Sequence, residues 1–436
     1  MSALTVMRVT ALTSRAEGPR IFATFALPLV AFMSSTALAL TVFGGYGAFA
    51  NRTDHPDAEF YTVLAAIAAI LIVIPCFTLG LAAARLGARR RDERLAALRL
   101  AGATPRQVVA LSAIEAGFQG LLGGVLGAAT YGACLPLVAQ LPFQGHPFTT
   151  AELWVGMPVL AGTLLGVTVI AVISALVGLR AVVISPLGVA QRHAPPAPKW
   201  IIAATVVAVL IVWTQINPAA LGIAGMLVAL AVVFGAINFV GPFVVTLVGK
   251  VLIRRASSAG ALVAARRILD DPKQVWRSVG GVTVASFVAA GTSLLTAIGG
   301  AAGSPEDAQL LADMRLGVAF TVTVTFGLAA ISAVLTQVAT ILDNRDLYRN
   351  LNYAGTPFTV MNEARTRQVR TPVVVMSLIG AGFALGFLFP ITGLMIFINP
   401  LALVQLIGLI AFGCGLVIAA VYATTPILRS VMLAGR

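Results

Sequence analysis

The chain has 436 residues, 59% of them hydrophobic and 10% charged, with a formal net charge of +13 at pH 7. A soluble domain carries roughly a quarter charged residues, so this composition excludes an ordinary soluble enzyme. Apolar runs of about 20 residues recur along the whole length, each long enough to cross a bilayer as a helix; a β-barrel would show weak alternation over short segments instead.

Ten membrane helices are predicted in chain order: 22–46, 61–85, 107–138, 152–181, 200–216, 219–249, 278–299, 315–341, 373–396 and 402–427. The turn around Asn217 and Pro218 separates the fifth from the sixth. Ala48-Phe49-Ala50 resembles a signal-peptidase site. The span before it is longer than the usual signal core, so it reads as an uncleaved signal anchor.

Lys and Arg near span ends set orientation. With the N-terminus inside, Arg52 and Arg315 are the basic residues of the outer loops, and the rest fall on the inner side. The outer loops then hold the acids Asp54, Asp57, Glu59, Glu152, Glu306, Asp307 and Asp313. Both termini are therefore expected in the cytoplasm. The basic residues would face anionic lipid headgroups, so no nucleic-acid partner is needed to explain the charge.

Two segments share one plan. Glu17-Gly18-Pro19-Arg20 leads into the first span, and Asp270-Asp271-Pro272-Lys273 leads into the seventh. In each there follow a short outer loop, a returning helix and a charged inner segment. That segment ends at Thr104-Pro105 in one copy and Thr356-Pro357 in the other. A Gly-rich helix comes next, then a last helix closing at Ser185-Pro186-Leu187 or Thr425-Pro426-Ile427. Spans one to four and seven to ten thus read as parallel copies of a four-helix unit, 1–190 and 257–436, joined by two linking helices in 191–256.

The first inner segment is the most specific stretch. Glu93-Arg94-Leu95-Ala96-Ala97-Leu98-Arg99-Leu100 reads as a helix with Leu95, Leu98 and Gly102 near one face. Gly102 is placed to end it. After Ala103, Thr104 and Gln107 form a T-x-x-Q capping box, with Pro105 in the first turn of the next helix. An ordinary amphipathic helix lying at the headgroups fits the local pattern equally well. The second copy keeps Leu347, Tyr348, Gly355, Thr356 and Pro357, but places Ala354 where Gly102 stands. If the segments are docking handles, the two are unequal.

The run Glu93–Val108, followed by Ile114-Glu115-Ala116 and the Gly-rich helix, resembles the signature of FtsX-like (MacB-type) permeases, the membrane subunits of mechanotransmitting ABC transporters. The resemblance is close over 89–127 and looser over 343–390. The ten-span layout is similar to that of bacitracin-exporter-type permeases, although the outer loops, about 51–60 and 300–314, have no room for the large extracellular domain of most members. The resemblance implies an all-α polytopic membrane protein built of two four-helix FtsX-like units. It also implies that Glu93, Arg94, Leu95, Leu98, Arg99, Gly102, Ala103 and Thr104, with Leu347, Tyr348, Gly355 and Thr356, couple the chain to a cytoplasmic ABC ATPase. Two copies of that ATPase per chain would bind ATP and Mg. The expected setting is the bacterial plasma membrane, and the expected work is export or extraction of a lipid, toxin or antimicrobial peptide. The rival readings are an energy-independent secondary carrier and a signalling membrane protein without transport.

Gly117, Gly120, Gly124 and Gly127 in span three, and Gly382 and Gly386 in span nine, are candidate helix-packing positions. Gly162 and Gly166 form a similar pair in span four. Glu115, Asn238 and Gln337 are the notable polar groups within spans. Cys76, Cys134 and Cys414 fall in apolar spans, and His55, His146 and His193 are far apart in sequence, so no metal site or disulfide framework is expected. No G-x-x-x-x-G-K-[ST] loop occurs. No catalytic or cofactor site is assigned to the chain, and no substrate-binding residue is readable.

Overall fold

The computed structural model describes residues 19–83, 100, 102–184, 211, 213, 222–298, 305–392 and 399–433. The chain is an all-α polytopic membrane protein. Its helices are α1 (Pro19–Asn51), α2 (Ala58–Ala83), α3 (Pro105–Val138), α4 (Gly156–Ile184), α5 (Gly222–Arg254), α6 (Ala259–Asp270), α7 (Pro272–Ile298), α8 (Pro305–Asp343), α9 (Arg345–Tyr353), α10 (Phe358–Thr392), α11 (Pro400–Tyr422) and α12 (Thr425–Leu433). Two short strands, β1 (Pro142–Phe143) and β2 (His146–Pro147), form an antiparallel hairpin. Among the described residues, seven helices are long and apolar enough to cross a membrane. The predicted fifth span, 200–216, lies outside the described residues except for Ile211 and Trp213.

Several helices extend past their predicted ends, for local reasons. α7 starts at Pro272 because Asp271 Oδ1 accepts the Gln274 N–H at 2.9 Å, capping it. α8 starts at Pro305, a residue suited to a first turn because an N–H there would have no partner within the helix. α10 takes in the polar run from Phe358 to Arg370, which hydropathy leaves out although it is helical. The tenth predicted span divides into α11 and α12, because Pro426 has no N–H to continue the ladder. α4 starts only at Gly156, since Glu152 is held in a turn by Thr149. The short helix α6 was not expected; its signal is Ser258, whose side chain caps Ala261 N–H at 3.1 Å.

The chain forms two compact units: residues 1–44, 76–137 and 153–194, and residues 45–75, 138–152 and 195–436. In the first, α3 packs through two glycine faces. Cβ atoms added at Gly120 and Gly124 would lie 2.8 Å from Ala171 and Leu164 of α4, and one at Gly117 3.3 Å from Val172. Gly123 and Gly127 meet α1 instead: an added Cβ would come within 2.5 Å of Phe32 and 2.7 Å of Thr36. Gly127 therefore does not share the face of Gly117, Gly120 and Gly124. Residues three and four apart on a helix drift round its axis, and over ten positions that drift moves Gly127 to the α1 side.

In the second unit α7 is the core helix. Val279, Val282, Thr283, Ala285, Ser286, Ala289 and Ala290 are all fully buried, among side chains of α5, α8, α10 and α11. Its close approach to α10 is made at Gly380, where a Cβ would strike the Thr283 carbonyl. Gly382 and Gly386 do not have the expected packing role. A Cβ at either would meet nothing within 4 Å among the described residues, because both turn away from the α7 side. The same openness holds for Gly162 and Gly166. Asn238 bonds the Phe234 carbonyl of its own helix at 3.1 Å, not a neighbouring helix. Gln337 lines a small polar cavity with Gln274, Ser278 and Gln368.

The glycine contacts yield a paired prediction. Gly123→Ala and Gly120→Ala should each destabilise the detergent-solubilised chain by about 1–3 kcal/mol through overpacking. Gly382→Ala should be neutral or slightly stabilising, as Ala is the better helix former. Thermal unfolding midpoints compare the three.

Candidate coupling segments and outer polar cluster

The first inner segment enters the structure at its C-terminal end; Glu93, Arg94, Leu95, Leu98 and Arg99 lie outside the described residues. Leu100 is helical and exposed. Gly102 has φ +95°, the left-handed conformation that ends a helix at little cost only for glycine. The capping box forms as the sequence predicts: Thr104 N–H donates to Gln107 Oε1 at 3.0 Å, and Gln107 N–H donates to Thr104 Oγ1 at 3.4 Å. Ala103 packs on Val108 and Leu111. The break between Leu100 and α3 is thus closed by hydrogen bonds and a small apolar contact.

The second segment is α9 with the break that follows. Gly355 has φ +79°, so it takes the part of Gly102 one residue nearer the Thr-Pro pair, and Ala354 is not a loss. The N–H groups of Thr356 and Gly355 donate to the Leu351 and Asn352 carbonyls at 2.9 and 3.0 Å. That pair of bonds is a Schellman motif. Thr359 stands where a capping box would need Gln or Glu, and among the described residues Thr356 makes no side-chain cap. The two breaks are both stiff, one through side chains and one through backbone.

α9 divides its residues between exposed and anchoring positions. Leu347 is exposed. Tyr348 is fully buried with Ile341, Met361, Leu428 and Met432, and its hydroxyl accepts from Arg267 Nη1 at 2.8 Å. Tyr348 therefore fixes α9 to the bundle, while Leu347 and Tyr353 stay exposed. Below it, the fully buried Arg365 of α10 bonds Thr424, Thr425 and Asn362, tying α10 to the start of α12.

At the other end of the second unit, residues from distant loops converge. Arg52 donates Nε and Nη2 to the two carboxylate oxygens of Glu152, each at 3.0 Å. It also donates to the Phe143 and Pro147 carbonyls at 3.2 and 3.1 Å, and lies 4.2 Å over the Phe148 ring. Asp313 accepts the Tyr61 hydroxyl at 2.7 Å and the Gln144 N–H at 2.8 Å. That N–H belongs to a hairpin turn with φ of 57° at Gln144 and 84° at Gly145, a type I′ geometry. Asp313 so joins α8 to α2 and to the hairpin. Sequence reading placed Arg52, Glu152 and Asp313 in outer loops but gave no sign that they meet.

Residues 66–186 match the family model described as FtsX-like permease C-terminal. Over those residues the chain resembles FtsX-like permeases. No curated protein and no solved structure matches it. The FtsX-like segment runs from the middle of α2 to just past α4, so it contains the break at Gly102–Pro105 and both glycine faces of α3. FtsX-like permeases are multi-pass transport subunits that generally partner with ABC ATPases. Among the described residues no group of acids, Cys and His is arranged to hold a metal.

Two predictions follow from this geometry. Gly355→Ala should cost about 1–2 kcal/mol, the penalty of a left-handed Cβ, and Thr104→Ala about 0.5–2 kcal/mol through loss of the cap; thermal unfolding measures both. For the outer cluster, the hydrogen bonds from Arg52, foremost, hold the Glu152 carboxyl down at about 2 against an ordinary 4.5. A lowered folded-state pKa means that the contribution is complete above about pH 4.5 and is lost as pH falls towards about 2. The stability gap between wild type and Glu152→Gln should therefore be widest at neutral pH and narrow below pH 4.5.

Proposed function

We propose that this chain is the membrane subunit of an ABC transporter, driven by a separate cytoplasmic ATPase that binds ATP and Mg. The observation that carries the reading is the capped break at Gly102–Pro105, lying inside the FtsX-like segment and leading directly into α3. A rigid junction there would pass a push on the segment 93–100 into α3 with little lost to bending. α9 offers a second junction leading into α10, so one chain would seat two ATPase copies, and closure of the ATPase pair would move both helices. The orientation is that of the charge asymmetry, with the inner segments and both termini on the cytoplasmic side of a bacterial plasma membrane.

The short outer connections support a reading of the substrate class. α1 and α2 are joined by a short loop, and the hairpin after α3 is folded against Arg52 and Asp313. That geometry suits a lipid, toxin or amphipathic peptide entering sideways from the bilayer, for export or extraction.

Purification from the native membrane should bring down an ABC ATPase. Leu98→Asp and Gly102→Pro should each reduce the ATPase retained, and its stimulated turnover in nanodiscs, at least about tenfold, since proline cannot adopt a positive φ. The reading fails if no ATPase accompanies the chain and both variants leave function intact. Gradient-driven flux in ATPase-free liposomes would indicate a secondary carrier instead.

A further inference from the structure

α5 and α6 form a helical hairpin whose inner side is closely packed. A Cβ at Gly249 of α5 would lie 2.8 Å from Leu269 of α6, so α6 folds back along the last turns of α5. Gly260, Ala261, Ala264, Ala265 and Ile268 make the buried face of α6. The outer side is different in kind. Leu247 and Val251 of α5 and Leu262 and Val263 of α6 are exposed. Between them stand Lys250, Arg254, Arg255 and Arg266, all exposed. None of these four forms an ion pair among the described residues. The acids nearest in sequence, Asp270 and Asp271, are at the far end of α6, and Asp271 is spent on capping α7.

We propose that this face of the α5–α6 hairpin is a binding site for an anionic phospholipid of the adjacent leaflet. Four unpaired cations interleaved with four apolar side chains match a ligand with a negative headgroup and a hydrocarbon body. A soluble phosphate would use the charges and leave the apolar residues in water. The inner side of α6 gives such a lipid something to act on. Arg267 holds Tyr348 of α9 at 2.8 Å, and Ser258 donates to Glu363 of α10 at 2.9 Å. A lipid seated on α6 thus bears on the second break through its neighbours on both sides. The site does not depend on the ATPase reading, because lipid retention needs no partner chain.

The test is native mass spectrometry of the full chain, released from micelles doped with equal amounts of phosphatidylglycerol and phosphatidylcholine. Wild type should retain phosphatidylglycerol selectively. The triple variant Arg254→Gln, Arg255→Gln, Arg266→Gln should weaken that preference about a hundredfold, as expected for three surface charges. The corresponding triple Lys variant should keep it. Removing the same charge elsewhere, by Arg106→Gln, Arg345→Gln and Arg429→Gln, should leave it unchanged, and excess inorganic phosphate should not displace the lipid. The proposal is overturned if the Gln variant retains the lipid like wild type, if the control variant loses it equally, or if inorganic phosphate competes. An acidic soluble chain co-eluting in place of lipid would overturn it too, and give the face to a protein.

Discussion

In hydrocarbon a backbone N–H or C=O without a partner costs roughly 2–7 kcal/mol, and this chain closes its helix ends even at the exposed inner breaks. The two inner breaks meet that constraint by different means. At Gly102 the orphan groups are met by the Thr104–Gln107 capping box. At Gly355 the orphan Leu351 and Asn352 carbonyls accept from the Thr356 and Gly355 N–H groups. Each break combines a left-handed glycine with a proline at or just before the next helix, which fixes the chain direction on both sides. A segment so constrained transmits displacement better than it absorbs it.

The same constraint governs packing. Lipid supplies no hydrophobic drive for helices to associate, so close contact must come from shape. In the first unit α3 gains it with five glycines on two faces, one against α1 and one against α4. The second unit reaches it mainly through α7, whose Ala, Ser, Thr and Val residues allow neighbours on all sides. The helix after the break is thus built differently in the two copies. α3 is gripped through its own glycines, while α10 is gripped at Gly380 and through Arg365.

The outer cluster adds a second kind of constraint. Arg52 serves two carboxylate oxygens, two carbonyls and a ring at once. Asp313 accepts from one residue of α2 and one of the hairpin. Charged hydrogen bonds are stronger than neutral ones, and here they fold short loops into a defined cap.

Much of this was readable from local sequence. Hydropathy gave the membrane class, and the T-x-x-Q spacing with Gly102 and Pro105 gave the first break, because caps depend on residues within a few positions of each other. The second break is less plain in sequence, because Gly355 stands one residue nearer its Thr-Pro pair than Gly102 does and its left-handed φ is seen only in the structure. Other features depend on which helices become neighbours. The Gly-x-x-x-Gly pattern was equally clear in α3 and α10, yet among the described residues Gly120 and Gly124 meet a neighbouring helix and Gly382 and Gly386 meet none. Tyr348 and Leu347 are adjacent in sequence, but only the fold turns one inward and the other out. Arg52, Glu152 and Asp313 stand far apart along the chain, and nothing local announces their meeting. Sequence by itself determined where helices begin, end and break; tertiary structure decided which faces they share, since a contact between distant segments is a property of both partners.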